Sequence, residues 1–176
     1  WIYQYDGTNF IPKFQLPDAA GAAASKGNIN TIAFDKQGTT AYIVSRKNHV
    51  IYKASYDMAT GEFNDVKLLA GSFGVTGYAD GTGTSAKFNE PSQGDVDEDG
   101  NFYVADRGNH CIRVITPDGE VSTYAGQNKA GMVDGIASLA EFNNPEGCQF
   151  GPDGALYVAD YSNHAIRKVE DGPAQP

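Results

Sequence analysis

Apolar residues along this chain come in short runs of β-branched and aromatic residues, broken every few positions by a polar pair or a glycine. Between Gln93 and Tyr124 the order is a run over 93–97, the pair Asp99-Gly100, runs over 101–105 and 110–115, the pair Asp118-Gly119, and a run over 120–124. Short runs joined by Asp-Gly are the mark of β-hairpins, because these residues accept the positive φ that a tight hairpin turn needs. No segment carries a long apolar stripe at helical spacing. The pattern predicts four antiparallel strands per unit and no long helix.

The unit repeats. YVADRGNHCIRV over 103–114 returns as YVADYSNHAIRKV over 157–169 and more loosely as YIVSRKNHVIYK over 42–53. Asp106 and Asp160 are 54 residues apart (160 − 106), and so are Asp80 and Asp134, Phe88 and Phe142, and Pro91 and Pro145. From Asn48 to Asn109 the step is 61 (109 − 48), the extra residues falling in 54–64. Two separated motifs that keep one spacing mark a true repeat. Four-stranded units at this period describe propeller blades, which close into rings of about four to eight. The all-β chain is therefore expected to be a partial propeller of about three blades. Residues 1–16 would end one blade, 29–70 and 92–125 would be blades, and 146–170 would start another. Residues 17–27 form a small-residue linker, the tail 170–176 is polar, and the remaining blades are expected from the rest of the protein.

The A-D-x-x-N-H-x-I-R core at 105–113 and 159–167, and the AG…DG…A-x-F-N-x-P segments before it, resemble the NHL repeat in its extracellular and bacterial form. The resemblance implies a six-bladed propeller. Some proteins of this kind are bacterial surface proteins joining an Ig-like IPT/TIG domain to the propeller; others are enzymes such as the peptide amidating lyase, and others bind RNA or proteins. The first full blade departs from the pattern, with Ser45 for the aspartate and Tyr52 for the arginine, so the bonds those two make should be missing there.

Composition narrows the function. Acidic residues outnumber basic ones 22 to 13, a net charge of −9, so the basic footprint of a nucleic-acid binder is absent. No stretch is long and apolar enough to insert in a membrane. Cys111 and Cys148 fall at non-equivalent places in different blades and read as buried reduced thiols. The innermost strands, 30–35, 93–97 and 147–151, offer Asp95 and Asp97 but no histidine, and DEDGN at 97–101 lacks the later ligands of a calcium loop. No Ser–His–Asp or GxSxG arrangement is visible. No catalytic residue, metal ligand or cofactor is assigned.

Strand parity puts the NH-motif loops and both long inserts, 71–91 and 126–145, on one face, and the short Asp-Gly turns on the other. Candidate contacts on the insert face are Arg46, Phe73, Tyr78, Arg107, Met132 and Tyr161, since Arg and Tyr are favoured anchors. The repeated motif residues are read as scaffold. Asp106, Asn109, His110 and Arg113, with Asp160, Asn163, His164 and Arg167, tie a tight turn: the aspartates accept its backbone N–H groups and the arginines reach a carboxylate on the neighbouring strand. Phe88 and Phe142 are expected to be buried staples. The function expected is that of a non-enzymatic module for a protein or glycan ligand. The resemblance implies the bacterial cell surface or periplasm. The alternative is a lyase or hydrolase at the channel mouth, with most of its ligands outside this chain.

Overall fold

Each predicted run becomes a strand, and the strands form successive antiparallel sheets. The computed structural model describes residues 2–5, 10–14 and 29–169. The linker 17–27 and the tail 170–176 of the sequence reading lie outside them. Strands β1 (Ile2–Tyr5) and β2 (Phe10–Phe14) make a hairpin. Strands β3 (Ile29–Phe34), β4 (Thr40–Ser45), β5 (Val50–Asp57) and β6 (Glu62–Ala70) form a four-stranded meander, the first blade. The second blade is β8 (Pro91–Val96), β9 (Phe102–Asp106), β10 (Cys111–Ile115) and β11 (Glu120–Ala125). On its outer edge lies the two-residue β7 (Gly81–Thr82), contributed by the first insert. The third sheet holds β12 (Pro145–Phe150), β13 (Leu156–Asp160) and β14 (Ala165–Val169). Among the described residues the helical pieces are three-residue 3-10 turns, including 46–48, 107–109 and 161–163 in the NH motifs.

The first strands of neighbouring blades lie side by side at the propeller axis. Asn30 Nδ2 donates to Ser92 Oγ at 3.1 Å, and the Phe150 N–H donates to Asp95 Oδ2 at 3.0 Å. The hydrophobic core lies between blades. Tyr42, Val44 and Ile51 pack on Val96, Phe102, Val104, Ile115 and Val121, with Phe88 in the same cluster. The Tyr42 ring stacks on Phe102 at 5.1 Å, and its hydroxyl donates to the Gly100 carbonyl at 2.6 Å. At the next seam Ala105, Ile112 and Ala125 meet Leu156, Val158, Val169 and Phe142. Phe88 and Phe142 are buried as expected, with 0% and 1% exposure. Each blade therefore needs its neighbour to cover its apolar face. Cys111 and Cys148 are free and buried, and burial pushes both thiols well above their ordinary range.

The inserts are not free loops. The first leaves β6 through Gly71, whose N–H bonds to Gly83 O at 3.0 Å, and Gly83 N–H bonds to Gly119 O at 2.9 Å. It then runs back to Phe88 along the seam between two blades. Gly126, which opens the second insert, has φ +97°, and a Cβ there would sit 2.8 Å from the His110 carbonyl oxygen. A glycine is required because the chain turns away while pressed against the preceding NH motif.

Candidate functional site

The repeated motif is an anchor for the inserts. Asp106 Oδ1 accepts the backbone N–H of Asn89 at 2.8 Å, while Oδ2 accepts Asn109 Nδ2 at 2.8 Å and Arg113 Nη1 at 3.1 Å. The third blade reproduces this. Asp160 takes the Asn143 N–H at 2.7 Å, Asn163 Nδ2 at 2.8 Å and Arg167 Nη1 at 3.1 Å. The sequence reading had the aspartates accepting backbone N–H groups of their own turn, and the structure corrects this. That turn satisfies itself, with His110 N–H bonding to Arg107 O, so each carboxylate is free to hold the insert instead. The arginines do reach the neighbouring strand's carboxylate. They also bind the insert: Arg113 donates to Lys87 O, Ala79 O and Asp80, and Arg167 to Glu141 O, Val133 O and Asp134. Asn109 and Asn163 complete the hold through Gly77 O and Gly131 O, both at 2.7 Å. In the first blade the departure has the expected effect. Ser45 Oγ accepts Asn48 Nδ2 at 2.9 Å, with no carboxylate at that position.

His49 and His110 work across seams. His49, His110 and His164 all adopt left-handed backbone, φ 57°, 55° and 54°. Nδ1 of His49 accepts the Glu90 N–H, and Nδ1 of His110 the Asn144 N–H, each at 3.0 Å. An acceptor nitrogen must be unprotonated. Burial lowers both histidines below their ordinary range, with Arg107 adding to the effect at His110.

The position just after the motif aspartate differs between blades: Arg46, Arg107 and Tyr161. The structure brings the two arginines together. Arg46 bonds Glu146 Oε1 at 2.7 Å and Glu90 Oε2 at 3.3 Å; Arg107 bonds Glu90 Oε2 at 3.1 Å and Glu146 Oε2 at 2.9 Å. These four side chains close an alternating ring that spans three blades. Ser92 Oγ donates to Glu146 Oε1 at 3.0 Å and accepts from Asn30, which places the ring where the inner strands begin, at the channel mouth. The sequence reading missed Glu90 and Glu146. The signal was present, because at the 54-residue offset Glu90 matches Asn144 and Glu146 matches Ser92, so both carboxylates are unshared residues.

The other candidates are placed separately. Tyr161 is 61% exposed, and its side chain has no partner among the described residues. Tyr78 shares a 2.9 Å hydrogen bond with Thr123 Oγ1 and covers the buried Arg113 guanidinium. Met132 is exposed. Phe73 packs against Ile43, Val50, Tyr52 and Ala54 and is part of the core margin. On the turn face a cleft of about 450 Å³ lies between the first two blades, lined by Lys53, Lys67, Asp65, Pro117 and Asp118 among others. Among the described residues no three His, Cys, Asp or Glu side chains are grouped to hold a metal ion. No helix among them is long and apolar enough to cross a membrane.

Meandering four-stranded sheets, stacked face to face with their first strands at the axis, define a β-propeller. The model of the NHL repeat matches residues 88–115. Protein SUPPRESSOR OF QUENCHING 1, chloroplastic, from Arabidopsis thaliana is 35% identical over 138 residues, covering 74% of this chain and 13% of that protein. NHL repeat-containing protein 2 from Bos taurus is 33% identical over 105 residues, covering 59% of this chain and 14% of that protein. Among solved structures, an auxiliary nutrient binding protein from Bacteroides thetaiotaomicron superposes with a TM-score of 0.81 at 32% identity, over 94% of this chain and 41% of that one. Its counterpart from Bacteroides ovatus gives 0.75 at 32% identity, over 84% and 38%. The chain is an NHL-repeat β-propeller, and it spans 13–14% of these curated relatives and about two fifths of the matched structures.

Proposed function

We propose that this chain is part of an NHL propeller that binds a protein or glycan ligand on its NH-turn face, at the bacterial cell surface or in the periplasm. One observation carries the reading. The second and third blades repeat the Asp–Asn–Arg bonds to their inserts partner for partner, while the adjoining turn position holds Arg107 in one and Tyr161 in the other. A rigid scaffold whose turn tips can differ without disturbing it is what a recognition surface requires. The two matched Bacteroides structures are named as auxiliary nutrient binding proteins, which supports a binding role and is in keeping with a bacterial surface or periplasmic location.

The test uses the intact natural protein on glycan and peptide arrays, beside two variants. Tyr78→Ala with Tyr161→Ala alters the NH-turn face, and Asp99→Ala with Asp118→Ala alters the turn face. The first pair should weaken the captured ligand by at least about tenfold, as expected for aromatic anchors, and the second pair should leave it unchanged. The reverse pattern would put the site on the wrong face. Cell fractionation checks the location.

A further inference from the structure

We propose that the ring of Arg46, Glu90, Arg107 and Glu146, with Tyr161 in the equivalent slot one blade on, is a subsite for an uncharged sugar residue. This rests on the binding face proposed above and names the ligand chemistry.

Within the ring Glu90 uses only Oε2, and Arg107 uses only Nε and Nη1. Glu90 Oε1 and Arg107 Nη2 make no hydrogen bond among the described residues. A carboxylate oxygen and a guanidinium nitrogen left open in one ion-pair ring match the two hydroxyls of a vicinal diol, one donating and one accepting.

The ring holds two guanidiniums and two carboxylates, so its formal charge is zero. A phosphate or carboxylate entering it meets two like charges, and so does an ammonium group. A neutral ligand rich in hydroxyls gains from both kinds of member and is repelled by neither.

The ring side chains are only 23–43% exposed and are already fixed by one another and by Ser92, so a ligand does not have to order them. Tyr161, 61% exposed, offers an aromatic face of the kind that covers the C–H side of a sugar ring. The side chain that adjoins the ring through Glu146 is the polar Ser92, itself bonded to Asn30, so the hydrogen-bonded surroundings are hydrophilic as well.

The intact protein would be screened against neutral oligosaccharides, the same oligosaccharides sulfated, and a random peptide library. The variants are Tyr161→Ala and Glu90→Gln; the first keeps the test sound if the second disturbs folding, since the Tyr161 side chain holds nothing in place. The expected result is capture of a neutral oligosaccharide, weakened about tenfold by each variant. That affinity should move less than about twofold between low and high salt, because no net charge is neutralised. Binding of sulfated sugars only, no neutral-sugar binding, or neutral-sugar binding untouched by either variant overturns the subsite. Peptide binding that Tyr161→Ala abolishes overturns the sugar chemistry and leaves the binding face standing. Neutral-sugar binding lost only with Asp99→Ala and Asp118→Ala overturns both.

Discussion

Nδ1 of His110 in the second blade accepts the backbone N–H of Asn144, 34 residues on, just before the third blade begins. His49 makes the same bond to Glu90 one seam earlier. The repeated histidine is a clasp between blades, and it functions only while its Nδ1 is unprotonated.

Acid should therefore loosen the seams. A histidine whose folded pKa is depressed is protonated more readily in the unfolded chain. Its stabilisation is complete above the unfolded value of 6.5 and is lost as pH falls below it. At His110, burial and Arg107 favour the neutral ring, while Asp160 opposes them. Asp106, pushed up to about 6 by burial, acts in the opposite direction: its folded form holds a proton longer, so it adds stability as pH falls through that value. The clean measurement is a comparison of melting temperatures of the parent and His110→Asn. The gap between them should shrink from pH 7.5 to pH 5, and a constant gap would sink the clasp.

Removing the motif aspartate should cost different amounts in the two blades. The Arg113 side chain is 0% exposed and the Arg167 side chain 10%. Asp106→Ala leaves a buried guanidinium with the half-exposed Asp80 as its one remaining counter-charge among the described residues, a loss of about 3–5 kcal/mol. Asp160→Ala should cost about 1–2 kcal/mol, through the lost bonds to the Asn143 N–H and the Asn163 side chain beside a wetter arginine. Urea unfolding of both variants decides this, and equal losses would count against the burial argument.

Arg107 and Tyr161 occupy one slot, yet only Tyr161 should be freely replaceable. Tyr161→Ala should stay within about 0.5 kcal/mol of the parent. Arg107→Ala breaks two part-exposed ion pairs and should cost about 0.5–1 kcal/mol. A double-mutant cycle on Arg46 and Glu146 should show coupling of similar size, about 0.5–1 kcal/mol. Zero coupling would mean the ring is a chance meeting of charges.

Gly94 marks where β8 meets β9 too closely for a side chain. A Cβ there would lie 2.0 Å from the Tyr103 carbonyl oxygen, with the Phe102 ring also inside contact range. Gly94→Ala should cost at least about 1–3 kcal/mol by overpacking, read from the thermal midpoint. A neutral result would mean that the two inner strands can part.

The sequence alone determined the blade. Asp-Gly turns, alternating short runs and the 54-residue step between Asp106 and Asp160 encode strand length, turn position and repeat number locally. The burial of Phe88 and Phe142 was legible for the same reason, since a residue that returns at the blade period serves the scaffold. What Asp106 binds was not legible. Its partner, the Asn89 N–H, lies 17 residues back in an insert whose path only the packed seam fixes. The ring was hidden more deeply, because Arg46 and Glu146 are 100 residues apart, in blades that are not consecutive. Periodicity says which way a side chain leaves its strand. Which charges then meet depends on the angle and spacing at which sheets stack around the axis, and that is set by the apolar packing of Tyr42 on Phe102 and its counterparts at each seam.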